Sequence, residues 1–210
     1  MSGSRPWTNA RLWFTALAGS FLALAQPAEA QERTCRVTEV AGQATLFHGN
    51  APADVAVGTA LSARDRLVTG PSGRVGIACS DQSLVTVGPD TDIGLGSLVG
   101  EQGGDSSIGM SLHRGIARFL APVRTWGTFN VFGPVAVASV RSTEWIMDTP
   151  ENGTSVFVIA GVVEVQSKRG EVARLQPTQG IDVAPDGTMA EPKVWGAKRV
   201  EGVMTRLGLQ

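Results

Sequence analysis

The residues best suited to chemistry form one polar cluster, Arg141-Ser142-Thr143-Glu144, within an otherwise apolar stretch. A guanidinium and a carboxylate this close in sequence could face a ligand. They could equally neutralise each other inside the protein, because a buried charge without a partner costs several kcal/mol. We favour the structural interpretation, in which Arg141 and Glu144 form a buried pair that fixes a corner between strands. Arg141, Thr143 and Glu144 are therefore candidates for a structural motif, with ligand binding as the alternative.

The two histidines and the short acidic runs offer no catalytic pattern. His48 lies in a predicted turn and His113 among strand residues, and neither has a carboxylate or cysteine at a spacing useful to a general base. Residues 80–81 and 90–92 are interpreted as turn residues, because a calcium site takes about six to eight oxygen ligands. The sequence contains no G-x-S-x-G, H-E-x-x-H or phosphate-binding loop. We predict a protein that is not an enzyme and that carries no metal and no cofactor.

Composition limits the kind of fold that positions the cluster. Of the 210 residues, 26 are glycine, 42% are hydrophobic and 18% are charged. An apolar content this high can fill a core, which excludes wholesale disorder. The 18 basic and 19 acidic residues give a net charge of −1, which disfavours nucleic acid as a partner. Frequent glycine without a collagen period favours a domain of short strands and tight turns.

The amino terminus has the features of a secretory signal peptide. Arg5 and Arg11 precede an uncharged apolar run at residues 12–25, and residues 28–30 provide a small-x-small cleavage site. The apolar run falls short of the roughly 20 residues that span a bilayer. We therefore predict cleavage after Ala30 and a bacterial protein that is periplasmic or secreted, with no stable membrane span after processing.

Beyond this leader, the hydrophobic pattern is that of short strands. Apolar and small or polar residues alternate along residues 75–79 and 108–112, which gives each predicted strand one apolar face. Turn-forming residues separate such runs, and Asn152-Gly153 between two apolar segments predicts a hairpin. Residues 156–159 are apolar on both faces, as expected for a strand that is covered on both sides. The fold class predicted is all-β.

The domain organisation follows from these patterns. Residues 1–30 are the signal peptide, residues 31–190 a single all-β domain and residues 191–210 a C-terminal tail. Apolar residues with helical spacing occur in the tail at Val200, Val203, Met204 and Leu207. Because glycines interrupt the tail and weaken a helix, a short helix and a frayed end both remain open.

The two cysteines, Cys35 and Cys79, agree with export. Both lie in the predicted mature chain, and disulfides persist in the compartments that exported proteins reach. We favour a Cys35–Cys79 disulfide between separate predicted strands. Two buried thiols on neighbouring strands are the alternative. The cysteines and histidines together form no recognised zinc spacing.

A series of short motifs runs through the chain from Val37 to Val183. Five of them lie, in order, at residues 40–44, 57–61, 65–70, 73–91 and 112–116. The most specific is GPVAVASVRSTEW at residues 133–145, and an apolar hairpin at residues 156–165 follows it. In this order the motifs resemble the FecR domain family, whose central motif reads TPxAxAGVRGTEF. The alignment keeps Arg141, Thr143 and Glu144 in register with that motif.

The resemblance implies an all-β domain of short strands coiled into a sandwich- or solenoid-like roll. It also implies a relation to the periplasmic part of regulators of siderophore uptake, a domain that occurs alone in other exported proteins. We therefore expect a non-enzymatic FecR-like binding or signal-transfer module that engages an envelope protein or glycan. The alternatives are an exported structural or adhesive domain that assembles with itself and, third, an exported hydrolase, which the missing nucleophile–base pair disfavours.

Overall fold

The structure, a computed structural model, describes residues 3, 32–98, 100–101, 107–122 and 127–209. The predicted signal peptide and its cleavage site lie outside the described residues, apart from Gly3. Within the described part of the chain, no helix is long and apolar enough to cross a membrane.

The elements in chain order are β1 (Glu32–Arg33), β2 (Cys35–Ala41), β3 (Ala44–His48), β4 (Ala51–Asp54), β5 (Ala60–Leu61), β6 (Asp65–Thr69), β7 (Arg74–Cys79), β8 (Leu84–Val87), β9 (Asp92–Gly94), β10 (Gly100–Glu101), β11 (Ile108–Ala121), β12 (Phe129–Phe132), β13 (Ala136–Val140), β14 (Thr143–Thr149), β15 (Thr154–Ala160), β16 (Val163–Ser167), β17 (Val172–Leu175), β18 (Gln179–Val183), β19 (Lys193–Val194) and α1 (Ala197–Arg206).

Strands β1 and β10 pair with each other in a short antiparallel sheet of their own. The other strands form two layers that share β11. The first layer has the order β5-β2-β7-β8-β11-β14-β15-β18-β19. The second has the order β4-β3-β6-β9-β11-β12-β13-β16-β17. The chain crosses between them repeatedly, with β13 in the second layer, β14 and β15 in the first, and β16 and β17 in the second again. The fold is thus all-β, as the sequence predicts, and its short strands form a sandwich-like roll of the kind that the resemblance implies.

Strand β11 bends from one layer into the other at Gly115. Its first half pairs with β9 and β12 in the second layer, and its second half with β8 and β14 in the first. Gly115 has φ +91°, and a Cβ there would lie 2.3 Å from Thr91 Oγ1. Only glycine fits a positive φ and so close an approach. This residue therefore permits the bend that joins the two layers.

The main core lies between the layers and is centred on Trp145. The indole stacks on Phe119 at 5.0 Å between ring centroids and meets Phe129 edge-on at 5.3 Å. All three side chains are buried. The predicted alternation is confirmed, since Val75, Ile77 and Cys79 on β7 all face this core, as do Ile108, Met110 and Leu112 on β11.

A smaller core lies on the outer face of the first layer, under α1. Trp195 stacks on Phe157 at 4.9 Å, and Val203 and Leu207 of the C-terminal segment are buried against the same face. Of the two alternatives for the tail, the structure has the short helix. Because Phe157 is covered from outside by Trp195, β15 is buried on both faces as predicted. The predicted hairpin is also confirmed, since β14 and β15 pair antiparallel across residues 150–153.

Cys35 and Cys79 form the predicted disulfide, with an S–S distance of 2.03 Å. The two residues lie directly opposite each other on β2 and β7. Nearby, Arg33 Nε lies 3.6 Å from Asp81 Oδ2, and both side chains are buried. Burial lowers the pKa of the Arg33 guanidinium, an effect that the Asp81 carboxylate opposes. The segment from β1 to the start of β2 is therefore fixed by a covalent bond and by a buried ion pair.

Candidate functional site

The cluster singled out in the sequence lies where the chain crosses twice between the layers. Arg141 and Ser142 connect β13 to β14, and Gly161 and Val162 make the return crossing from β15 to β16. Thr143 is buried and its Oγ1 donates a hydrogen bond to the Val162 carbonyl at 3.0 Å, which holds the two crossings together. Thr143 thus links the two crossings directly.

The close contact of the two crossings depends on Gly161. Its φ is +83°, and a Cβ at this position would lie 2.4 Å from the Ser142 carbonyl oxygen. A larger residue would push the crossings apart, because the contact is with backbone atoms that cannot rotate away. Gly161 therefore permits the close contact that fixes the corner at which Arg141 lies.

Beside the corner is a cleft of about 520 Å³. We call it the corner cleft, and its lining residues are Thr128, Ser139, Val140, Arg141, Ser142, Thr143, Gly161, Val162, Glu164 and Arg174. Seven of these ten residues carry a hydroxyl or a charged group in the side chain. Ser139 is already engaged through its Oγ, which donates to Asn130 Oδ1 at 2.7 Å. The charged side chains of the cleft are two arginines and one glutamate.

The prediction of a buried Arg141–Glu144 pair is wrong. Arg141 is exposed and lines the corner cleft. Within the part of the chain that the structure describes, no hydrogen bond or ion pair engages its guanidinium. Regular strand alternation would place Arg141 and Thr143 on the same face, because they are two residues apart. The bend at residues 141–142 interrupts that alternation, so Arg141 is exposed while Thr143 is buried. Its exposure leaves the guanidinium available to a ligand or partner.

Glu144 pairs with Arg118 of β11 instead. Arg118 Nε donates to Glu144 Oε1 at 2.8 Å, and both side chains are about one-fifth exposed. The two residues lie on adjacent paired strands, with Leu120 opposite Glu144. Glu144 therefore fixes β14 to β11 on the outer face of the first layer, and it does not share the corner cleft with Arg141.

Two further residues of the cleft, Glu164 and Arg174, are not among the candidates predicted from the sequence. Glu164 of β16 and Arg174 of β17 lie directly opposite each other in the strand register, and both are exposed. Each residue alternates with inward-facing apolar neighbours along its strand. This pattern predicts that the two side chains are exposed, but it does not predict that they lie in one cleft. Their meeting with Arg141 depends on the chain returning from β15 to β16 beside the first crossing, and no local pattern carries that information.

The other polar candidates are engaged elsewhere. His48 is half-exposed, and its Nδ1 lies 2.8 Å from Asp65 Oδ1, a contact that the sequence spacing did not indicate. Asp81 binds the Ser83 hydroxyl and Asp92 the Arg66 guanidinium. Among the described residues, no three His, Cys, Asp or Glu side chains converge as metal ligands would.

A second cleft of about 520 Å³ lies beside β15 and β18. Its charged groups are satisfied within the protein, since Arg199 donates to Asp182 Oδ2 at 2.9 Å and Ser155 Oγ donates to Asp182 Oδ1 at 2.7 Å. The Arg199 hydrogen bond holds the pKa of Asp182 below its usual range. The charged groups of this second cleft are therefore bound to one another. The Arg141 guanidinium of the corner cleft is the more accessible charged group.

Comparisons with known proteins agree with the fold. Residues 65–164 match the family model described as "FecR protein", which confirms the resemblance over that part of the chain. Two solved structures of a "putative anti-sigma factor" from Parabacteroides distasonis ATCC 8503 are similar, each with a TM-score of 0.55, 20% identity and coverage of 65% of this chain. The chain spans 62% of the length of those solved chains, and at this identity the similarity shows the fold alone. No curated protein matches the chain.

Proposed function

With residues 65–164 matching the FecR family, we propose that this chain is a non-enzymatic periplasmic module that binds an envelope partner and transfers a signal through it. The corner cleft is the surface that the partner contacts. The family match and the similarity to the Parabacteroides protein support a regulatory role rather than catalysis. The partner is a protein of the cell envelope.

The observation that carries this proposal is the exposure of Arg141. It belongs to the most specific of the family-like motifs, yet it stabilises nothing by a hydrogen bond or ion pair to another described residue. A rigid corner, made by the Thr143–Val162 hydrogen bond, holds it beside the cleft. An arginine presented on a rigid support is well suited to a protein interface, where arginine is enriched among the residues that dominate affinity.

The periplasmic location rests on the amino-terminal sequence and on the cysteines. Arg5, Arg11 and the apolar run at residues 12–25 have the pattern of a signal peptide. A Cys35–Cys79 disulfide suits an oxidising compartment. Mass spectrometry of the protein from a periplasmic extract should give a mature chain that starts at Gln31. Recovery of the intact chain from the membrane fraction would contradict this location.

The binding role is tested by cross-linked capture from envelope extract, with the captured proteins identified by mass spectrometry. Arg141→Glu should lose the partner that the parent protein retains, because it reverses the charge at the cleft. The matched control is Arg64→Glu, which reverses another exposed arginine in the β5–β6 connection, far along the strand order from the cleft. Both variants should melt like the parent. Capture of the same protein by Arg141→Glu and by the parent would refute the assignment of the cleft.

A further inference from the structure

Strand β17 is an edge of the second layer beside the corner cleft. It pairs with β16, and no other described strand pairs with it on its second side. An edge strand presents unpaired backbone groups and can accept a further strand from another chain. Arg174, in the middle of β17, lines the cleft together with Arg141. A strand added to β17 would therefore lie at the rim of the cleft, next to Arg174.

The hydrogen-bond pattern identifies the backbone groups on the free side of β17. At the β16–β17 turn, Ser167 N–H donates to the Glu171 carbonyl at 2.9 Å. Hydrogen-bonded pairs alternate along an antiparallel ladder, so the next bonded pair is Val165 with Ala173. Val172 and Arg174 then direct their N–H and C=O groups away from β16. These two residues supply the donors and acceptors that an incoming strand needs.

The other three edges of the layers are less suited to accept a strand. Strand β4 contains Pro52, which lacks an N–H and is a common protection of edge strands. Strands β5 and β19 have two residues each. Among the described strands, β17 is thus the edge that combines four residues with a complete set of backbone donors.

The side chains of β17 indicate what the incoming strand carries. Val172 is 57% exposed, and Arg174 is exposed on the same outer face. With Arg141 nearby, two arginines face the single carboxylate of Glu164, which leaves an excess of positive charge. Cross-strand pairs of opposite charge and of apolar residues stabilise a sheet. An acidic residue opposite Arg174 and a β-branched or aromatic residue opposite Val172 would complement this edge.

We propose that β17 accepts an extended segment of the partner as an additional antiparallel strand, in which an acidic residue and an apolar residue lie two positions apart. This inference rests on the proposed function and specifies how the partner binds. The backbone of Val172 and Arg174 provides affinity, and the charge of Arg174 provides selection for the acidic residue. Only an unstructured or strand-forming segment of the partner fits such an edge.

The test uses amide hydrogen exchange measured by NMR on the mature protein. The probe is a short synthetic peptide of alternating Thr and Val with one Glu placed two positions before a Val, compared with the same peptide carrying Lys for Glu. In the free protein, the amides of Val172 and Arg174 should exchange rapidly and that of Ala173 slowly. At a concentration about ten times its Kd, the Glu peptide should slow exchange at Val172 and Arg174 about tenfold, by mass action.

Two variants separate backbone pairing from charge. Val172→Pro removes an N–H that β16 does not use, so the hairpin should persist while peptide binding is lost, and Val172→Thr is the control that keeps the N–H. Arg174→Glu should reverse the preference from the Glu peptide to the Lys peptide. Slow exchange at Val172 in the free protein, equal binding of both peptides, or undiminished binding by Val172→Pro would each overturn the proposal.

The experiments distinguish a failure of strand addition at β17 from a failure of the proposed function. If Val172→Pro still captures the envelope protein that Arg141→Glu loses, the partner binds at the cleft without strand addition, and only this inference is wrong. A concentration-dependent dimer of the parent that Val172→Pro abolishes would make a second copy of the chain the occupant of the edge. That result would overturn the assignment to a partner segment.

Discussion

Gly180 is the position at which a single methyl group should release the C-terminal helix. In β18 it lies directly under the Trp195 indole, and a Cβ there would be 2.4 Å from both Cε2 and Nε1 of that ring. Ordinary van der Waals contact begins at 3.4 Å, so Gly180→Ala requires the ring to move by about 1 Å. The ring cannot move in this way and keep its stacking on Phe157.

The cost can be worked out from the contacts of Trp195. Displacing the indole from Phe157 forfeits a stacked aromatic pair worth about 0.5–1.5 kcal/mol. It also disturbs the Arg199 guanidinium, which lies 3.6 Å from the ring centroid, a contact worth about 0.5–1 kcal/mol at a partly exposed site. If the ring stays in place, overpacking typically costs about 1–3 kcal/mol instead. We expect a loss of about 1–3 kcal/mol, or a decrease in Tm of about 2–12 °C.

Thermal unfolding followed by circular dichroism measures this loss. The matched control is Gly202→Ala in α1, where an added Cβ meets nothing within 4 Å and the helix should gain about 0.5–1 kcal/mol. A double-mutant cycle with Trp195→Ala identifies the cause, since Gly180→Ala should be nearly silent once the indole is absent. A Gly180→Ala variant that melts like the parent, or that costs as much without the indole, would refute the reasoning.

Three further predictions concern other contacts. Arg141→Ala should leave the melting temperature unchanged because the side chain is exposed, whereas Glu144→Ala should cost about 1–2 kcal/mol by breaking a half-buried ion pair, both measured by thermal denaturation. Replacing Cys35 and Cys79 by serine should lower the free energy of unfolding by about 4 kcal/mol in urea titrations, as expected for the chain segment that the disulfide closes. The pKa of Asp182 is depressed in the folded state, so its contribution to stability is complete above its unfolded pKa of about 3.9 and is lost as pH falls further. Asp182→Asn should therefore flatten the decline of the urea midpoint between about pH 5 and pH 2 relative to the parent.

Local patterns in the sequence determine the strands and the partition between core and surface. The alternation in β7 and β11 predicts which side chains are buried, because the side-chain period of a strand is two whatever its neighbours are. The hairpin at residues 150–153 follows from its turn residues in the same way. The Cys35–Cys79 pairing is also predicted, since the sequence contains no other cysteine.

Only the tertiary structure decides which charges meet. Glu144 pairs with Arg118, and not with the nearby Arg141, because the antiparallel register of β11 and β14 brings the first two together across 26 residues of chain. Strand order likewise makes β17 a free edge and places Arg174 in the same cleft as Arg141. The sequence around a charged residue does not identify its ion-pair partner, because the energy of an ion pair depends on distance in space and on burial.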